Sequence, residues 1–132
     1  MVALAAILLP TSLTAQITFQ RTYGGTGRDT ACSVQQTADG GYIIAGTTES
    51  YGAGRQDVYL VRTDAYGDTL WTRTFGGDAS DYGRSVRQTT DGGFIVAGIT
   101  QSFGSGSSDI YLVRTDAEGD TVWTRTFGGQ YN

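Results

Sequence analysis

From Thr22 to Arg73 the chain can be laid over Thr74 to Arg125 without a gap, and 32 of the 52 positions are identical. The longest shared stretch is RTDAYGDTLWTRTFGG at 62–77, which returns at 114–129 as RTDAEGDTVWTRTFGG with two changes. Most other differences keep the character of the side chain, such as Tyr42 for Phe94, Ile44 for Val96 and Tyr51 for Phe103. A chain built this way must solve one packing problem repeatedly, with each unit burying its apolar faces against the next.

A period near fifty residues points to propellers or other arrays rather than one compact fold. Each unit reads as four short strands, in the first copy at 32–37, 41–48, 57–63 and 68–75. β-Branched and aromatic residues fill them, and Gly/Asp clusters punctuate them. The runs YIIA and VYLV are apolar throughout instead of alternating, which implies burial on both sheet faces. Blades sandwiched between neighbours meet that requirement. The expected fold class is all-β: propeller-type blades, a four-stranded antiparallel meander per repeat, with two blades present. The boundaries are a signal peptide at 1–15, an isolated last strand of a preceding or closing blade at 16–25, blade 1 at 26–77, blade 2 at 78–129, and the start of a third repeat at 130–132.

The apolar run VALAAILL at 2–9 is far shorter than the ~20 residues of a membrane-spanning helix. Pro10 ends it, and small residues up to Ala15 suggest a secretory signal peptide, hence export to the cell surface or medium. No Lys or Arg precedes Arg21, so the true start is expected to lie upstream, or the gene model to be clipped. The alternative is a buried N-terminal strand or helix. Because propellers need four to eight blades, the chain is expected to be a piece of a longer ring, with closure by oligomerisation as the second reading. Its partners are then further blades of the same chain or other copies of it.

The glycine doublet before the second strand, the Tyr in the third and the Trp in the fourth are similar to the kelch blade pattern. More closely, DGGYIIAG, DVYLVRTDA and GDTLWTRTFGG resemble the β-propeller repeats of secreted bacterial surface proteins. The resemblance covers 17–129 and implies the fold well and the function poorly, because propellers host many activities.

The DAYG turn fits a type I turn followed by a left-handed glycine, Gly67 or Gly119, with Asp64 and Asp116 accepting bonds from turn amides. With that bulge present, Val61 is expected to face Trp71 and Tyr59 to face Arg73, the latter as a cation–π pair. Trp71 and Trp123 are expected in the blade core, with sugar stacking as the alternative. The motif also resembles the Asp box of sialidase-type propellers. Its spacing is longer than the box, and the box is itself structural, so no glycosidase activity follows.

Composition removes several functions. The net charge of −4 argues against nucleic acid and anionic membranes. All nine basic residues are Arg, and no His is present, so the commonest general base and zinc ligand is missing. No nucleophile elbow occurs, and Cys32 has neither a second thiol nor a partner base. The chain is expected to be non-catalytic and to need no cofactor. GGTGRDTAC superficially matches a calcium-binding nonapeptide, but the period is 52 rather than nine. Incidental calcium held by loop carboxylates and carbonyls is the more plausible route, and no ligand set is legible.

In a meander, the first–second and third–fourth loops share one end of the blade and carry near-identical turns. The other end carries longer Gly-rich loops that differ between copies, at 24–31, 50–57, 76–83 and 102–109. Recognition of a protein or glycan is expected there, through Arg28, Asp29, Tyr51, Arg55, Asp81, Tyr82 and Phe103. The alternative is that the aromatics cover blade edges and the aspartates cap turns. The expected function is an exported binding, adhesion or scaffolding module, with a glycan-binding or glycan-processing propeller as the alternative.

Overall fold

The computed structural model describes residues 18–130; the expected signal peptide lies outside them. Eight strands follow one another: β1 Asp29–Gln36, β2 Tyr42–Thr48, β3 Asp57–Thr63, β4 Thr69–Phe75, β5 Asp81–Gln88, β6 Phe94–Thr100, β7 Asp109–Thr115 and β8 Thr121–Phe127. They form two four-stranded sheets, β1-β2-β3-β4 and β5-β6-β7-β8, antiparallel throughout. The fold is therefore all-β, with one meander blade per repeat. The first strand of each blade starts three residues earlier than its composition suggests, at Asp29 in blade 1.

The two blades pack face to face. Ile43, Ala45, Val58 and Leu60 of blade 1 meet Val86, Phe94, Val96, Tyr111 and Val113 of blade 2, with Trp71 and Phe75 closing the outer side. Two-faced burial follows where both neighbours are present: all seven residues of β3 are buried. Its counterpart β7 alternates, and Ile110 is 56% exposed, because nothing covers that face among the described residues. The apolar character of both strands is thus a property of the array.

Residues 18–25 form no regular strand, yet they hold the place of a preceding blade's last strand. Phe19 sits edge-on to Tyr42 at 5.8 Å, as Trp71 does to Phe94 at 5.7 Å. Arg21 pairs with Asp68 at 3.3 Å, as Arg73 pairs with Asp120 at 3.2 Å. The segment lacks its own hydrogen-bonding strand and keeps only the contacts made across a blade interface.

The register expected for the repeated motif needs correction. The left-handed glycine bulge is present: Gly67 has φ +80° and Gly119 φ +83°, and Asp64 N donates to Asp68 O. A second bulge follows at once. Thr63 pairs with Thr69, but Arg62 pairs with Trp71, leaving Leu70 unpaired. Trp71 therefore lies opposite Arg62, on the other face from Val61, and Arg73 lies opposite Leu60 rather than Tyr59. The cation–π contact that forms is Arg73 over Trp71 at 5.5 Å. An added residue flips every later side chain to the other face, and here that aims the Trp-x-Arg pair at the next blade.

That aim explains the repetition. Trp71 and Arg73 of one copy of the motif cover Gly119 of the next, where a Cβ would lie 2.8 Å from the indole and 2.9 Å from the Arg73 side chain. Gly119 thus serves both its left-handed turn and the close approach of Trp71. Asp120, the next residue, takes the Arg73 ion pair. The motif is complementary to itself, head to tail.

Candidate functional site

The two ends of the blades are built differently. At the short-turn end, Asp39 accepts from Thr37 Oγ1 at 2.6 Å and Gly41 N at 3.2 Å, and receives both Arg62 Nη2 contacts at 2.7 and 2.6 Å. Asp91 repeats the arrangement with Thr89, Gly93 and Arg114. The Thr37 hydroxyl, then the Gly41 amide and the Arg62 guanidinium, bring the Asp39 carboxyl down to about 2, and Asp91 falls likewise to about 2. Asp64 accepts from Tyr66 N and Asp68 N at 2.8 and 2.9 Å, and Asp116 does the same in blade 2. These carboxylates are committed to holding turns.

At the long-loop end, four expected ligand residues are engaged within the fold. Asp29 accepts from Ser50 Oγ at 2.6 Å, Gly25 N at 2.8 Å and the Thr48 hydroxyl. Burial raises its acid and these bonds more than offset that, so its carboxyl lies below the ordinary value. Asp81 accepts from Ser102 Oγ at 2.6 Å and Gly77 N at 2.9 Å. The Tyr51 ring packs on Tyr59 and its hydroxyl donates to Gly24 O; Phe103 packs on Tyr111. Arg55 is exposed and anchors its loop through its main-chain N–H to Ala79 O.

Arg28 and Tyr82 come together. They line a cleft of about 180 Å³ between the blades, with Thr30, Cys32, Thr47, Glu49, Gln56 and Arg84. Arg84 lies over the Tyr82 ring at 5.6 Å. Gln56 donates to Glu49 at 2.6 Å. Neither Arg28 nor Arg84 belongs to an ion pair among the described residues, whereas Arg21, Arg62, Arg73 and Arg114 do. Cys32 and Arg84 reach the cleft because each is the unpaired residue of a bulge in its strand, between Ala31 and Ser33 and between Gly83 and Ser85. The free Cys32 thiol is exposed.

The lining residues occupy six positions of the repeat, and all six differ between copies: Arg28/Ser80, Thr30/Tyr82, Cys32/Arg84, Thr47/Ile99, Glu49/Gln101 and Gln56/Ser108. Only 20 of 52 positions differ overall (52 − 32). Thr30, Cys32, Thr47, Glu49, Gln56 and Arg84 were not expected at a site. The signal that would have found them is disagreement between copies within strands as well as loops. Trp71 and Trp123 take opposite situations: the first is half-buried between blades, the second 37% exposed.

No protein-family model matches the chain. The chain is similar to the regulatory protein FlaEY of Caulobacter vibrioides, at 32% identity over 113 residues. The match covers 74% of this chain and 12% of that protein, so the chain spans only about an eighth of its relative's length. Among the described residues, no helix is long and apolar enough to cross a membrane.

Proposed function

We propose that the chain is a non-catalytic, exported β-propeller module, kelch-like in its blades, that binds a protein or glycan through the cleft between its two blades. The observation that carries this reading is that all six repeat positions lining the cleft differ between the copies. Asp39, Asp64, Gly67, Trp71 and Arg73, which hold turns or join blades, are shared by the copies. Variation on a repeated scaffold is the mark of a recognition surface. Two unpaired guanidiniums, one stacked on a tyrosine, beside hydroxyl and amide groups suit a glycan or polar peptide that bears negative charge.

The non-catalytic part is supported by the engagement of the carboxylates in turns and by the lack of any His. Export is supported by the apolar run at 2–9 followed by small residues. The module reading is supported by the open face of blade 2. There Arg125 already lies over Trp123 at 5.8 Å, as Arg73 lies over Trp71. A further unit of the same kind, in the same chain or another copy, fits that face.

Array binding with neutral glycans, acidic glycans and acidic peptides tests the site. Saturable binding is expected to weaken about tenfold or more in the Arg28→Ala/Arg84→Ala variant, with an unchanged thermal midpoint because neither side chain holds the fold. Binding that survives the double substitution would place recognition elsewhere.

A further inference from the structure

Asp57 and Asp81 start β3 and β5, in different blades, and are 1% and 0% exposed. Both carboxylates face the space beside Gly76: a Cβ there would meet Asp57 Oδ1 and, at 2.6 Å, Asp81 Oδ2. Asp57 Oδ2 accepts from Gly54 N at 3.1 Å. Asp81 Oδ2 is taken by Gly77 N and Ser102 Oγ, while Asp81 Oδ1 is buried without a hydrogen-bond partner. No guanidinium serves either group; the four Arg–Asp pairs among the described residues use Asp39, Asp68, Asp91 and Asp120. Buried charges in proteins are paired or hold metals.

Asp29 stands where Asp81 stands, but no aspartate of a preceding blade faces it among the described residues, and both its oxygens are bonded. Asp109, which stands where Asp57 stands, also keeps a buried Oδ1 without a hydrogen-bond partner.

We propose that the Asp57–Asp81 junction is a binding site for a hard divalent cation of the calcium type, which ties blade 1 to blade 2. The donors are all oxygen, and two carboxylates balance one divalent charge; oxygen-only sets suit calcium, magnesium or manganese. No third His, Cys, Asp or Glu joins the pair among the described residues. The remaining ligands are therefore main-chain carbonyls and water, which calcium accepts more readily than magnesium does. The Gly77 and Ala79 carbonyl oxygens crowd Gly54, whose N–H bonds Asp57.

Thermal unfolding of the full chain in calcium and in chelator tests this. Calcium at a hundredfold excess over its Kd is expected to raise the midpoint by about 10 °C. The response should vanish in Asp57→Asn and weaken in Gly76→Ala, which fills the space but keeps both carboxylates. Terbium is expected to luminesce on tyrosine excitation, since Tyr111 feels the charge of both aspartates, and calcium should displace it. The proposal is overturned by any of three results: no calcium response and no terbium signal; an equal response in Asp57→Asn; or stabilisation on going from about pH 7 to 5 without calcium, which would mean that the pair shares a proton.

Discussion

Trp71→Ala is expected to destabilise the chain by about 3 kcal/mol, a large share of a small domain's stability. Trp123→Ala, the same substitution in an almost identical stretch, is expected to cost less than about 1 kcal/mol. The difference comes from the neighbour. Trp71 is half-buried against Phe94 and Gly119 of the following blade, whereas Trp123 is 37% exposed, with no following blade against it among the described residues. Urea unfolding of both variants reads the two costs directly. Equal costs would mean that the indole works within its own blade, and the array account of the motif would fail.

Asp39→Ala is the second large effect. It removes the acceptor of the Thr37 hydroxyl and Gly41 amide and leaves Arg62, 5% exposed, without its carboxylate. Hydrogen bonds to charged groups are worth about 1.5–3 kcal/mol. Water reaches the outer side of Asp39, whose side chain is 65% exposed, so the low end applies, about 2 kcal/mol. The same group gives a pH signature. Its carboxyl lies at about 2 in the folded chain, below the ordinary 3.8. A depressed folded value adds stability that is complete above the unfolded value and is lost as pH falls through the folded one. The wild type is therefore expected to lose stability between about pH 4 and pH 2, and Asp39→Ala to show a shallower fall over that window. Asp91 titrates over the same range, so the dependence is reduced rather than abolished. An unchanged slope in the variant would contradict the assignment.

The architecture was legible because the repeat exposes it. Matching a chain against itself separates positions that every blade needs from those that one blade needs, and the continuous apolar runs of β2 and β3 already demand cover on both faces. The register of β4 was not legible. The bulge glycine is announced by its turn, DAYG, but the second bulge at Leu70 has no glycine and no distinctive composition. It is imposed by the need to aim Trp71 at the neighbouring blade, a contact that only the assembled pair displays. The cleft was half legible. Arg28 and Tyr82 lie in loop-flanking positions where variation draws notice, while Cys32 and Arg84 are turned into the cleft by strand bulges. Tyr51 and Phe103 look like ligand aromatics from sequence, and the fold packs each against the tyrosine of its own third strand. Asp29 and Asp81 show the same limit: the Gly-Gly and Ser groups that bond them come from loops 4 and 21 residues away.

The repeated stretch joins one blade to the next. A double-mutant cycle between Trp71 and Phe94 tests it most directly, because the two rings touch only across the blade interface. With Trp71→Ala, Phe94→Ala and the double variant unfolded in urea, the account predicts a favourable coupling of about 0.5–1.5 kcal/mol. Costs that simply add, to within about 0.5 kcal/mol, would show that the two blades do not hold each other through this motif.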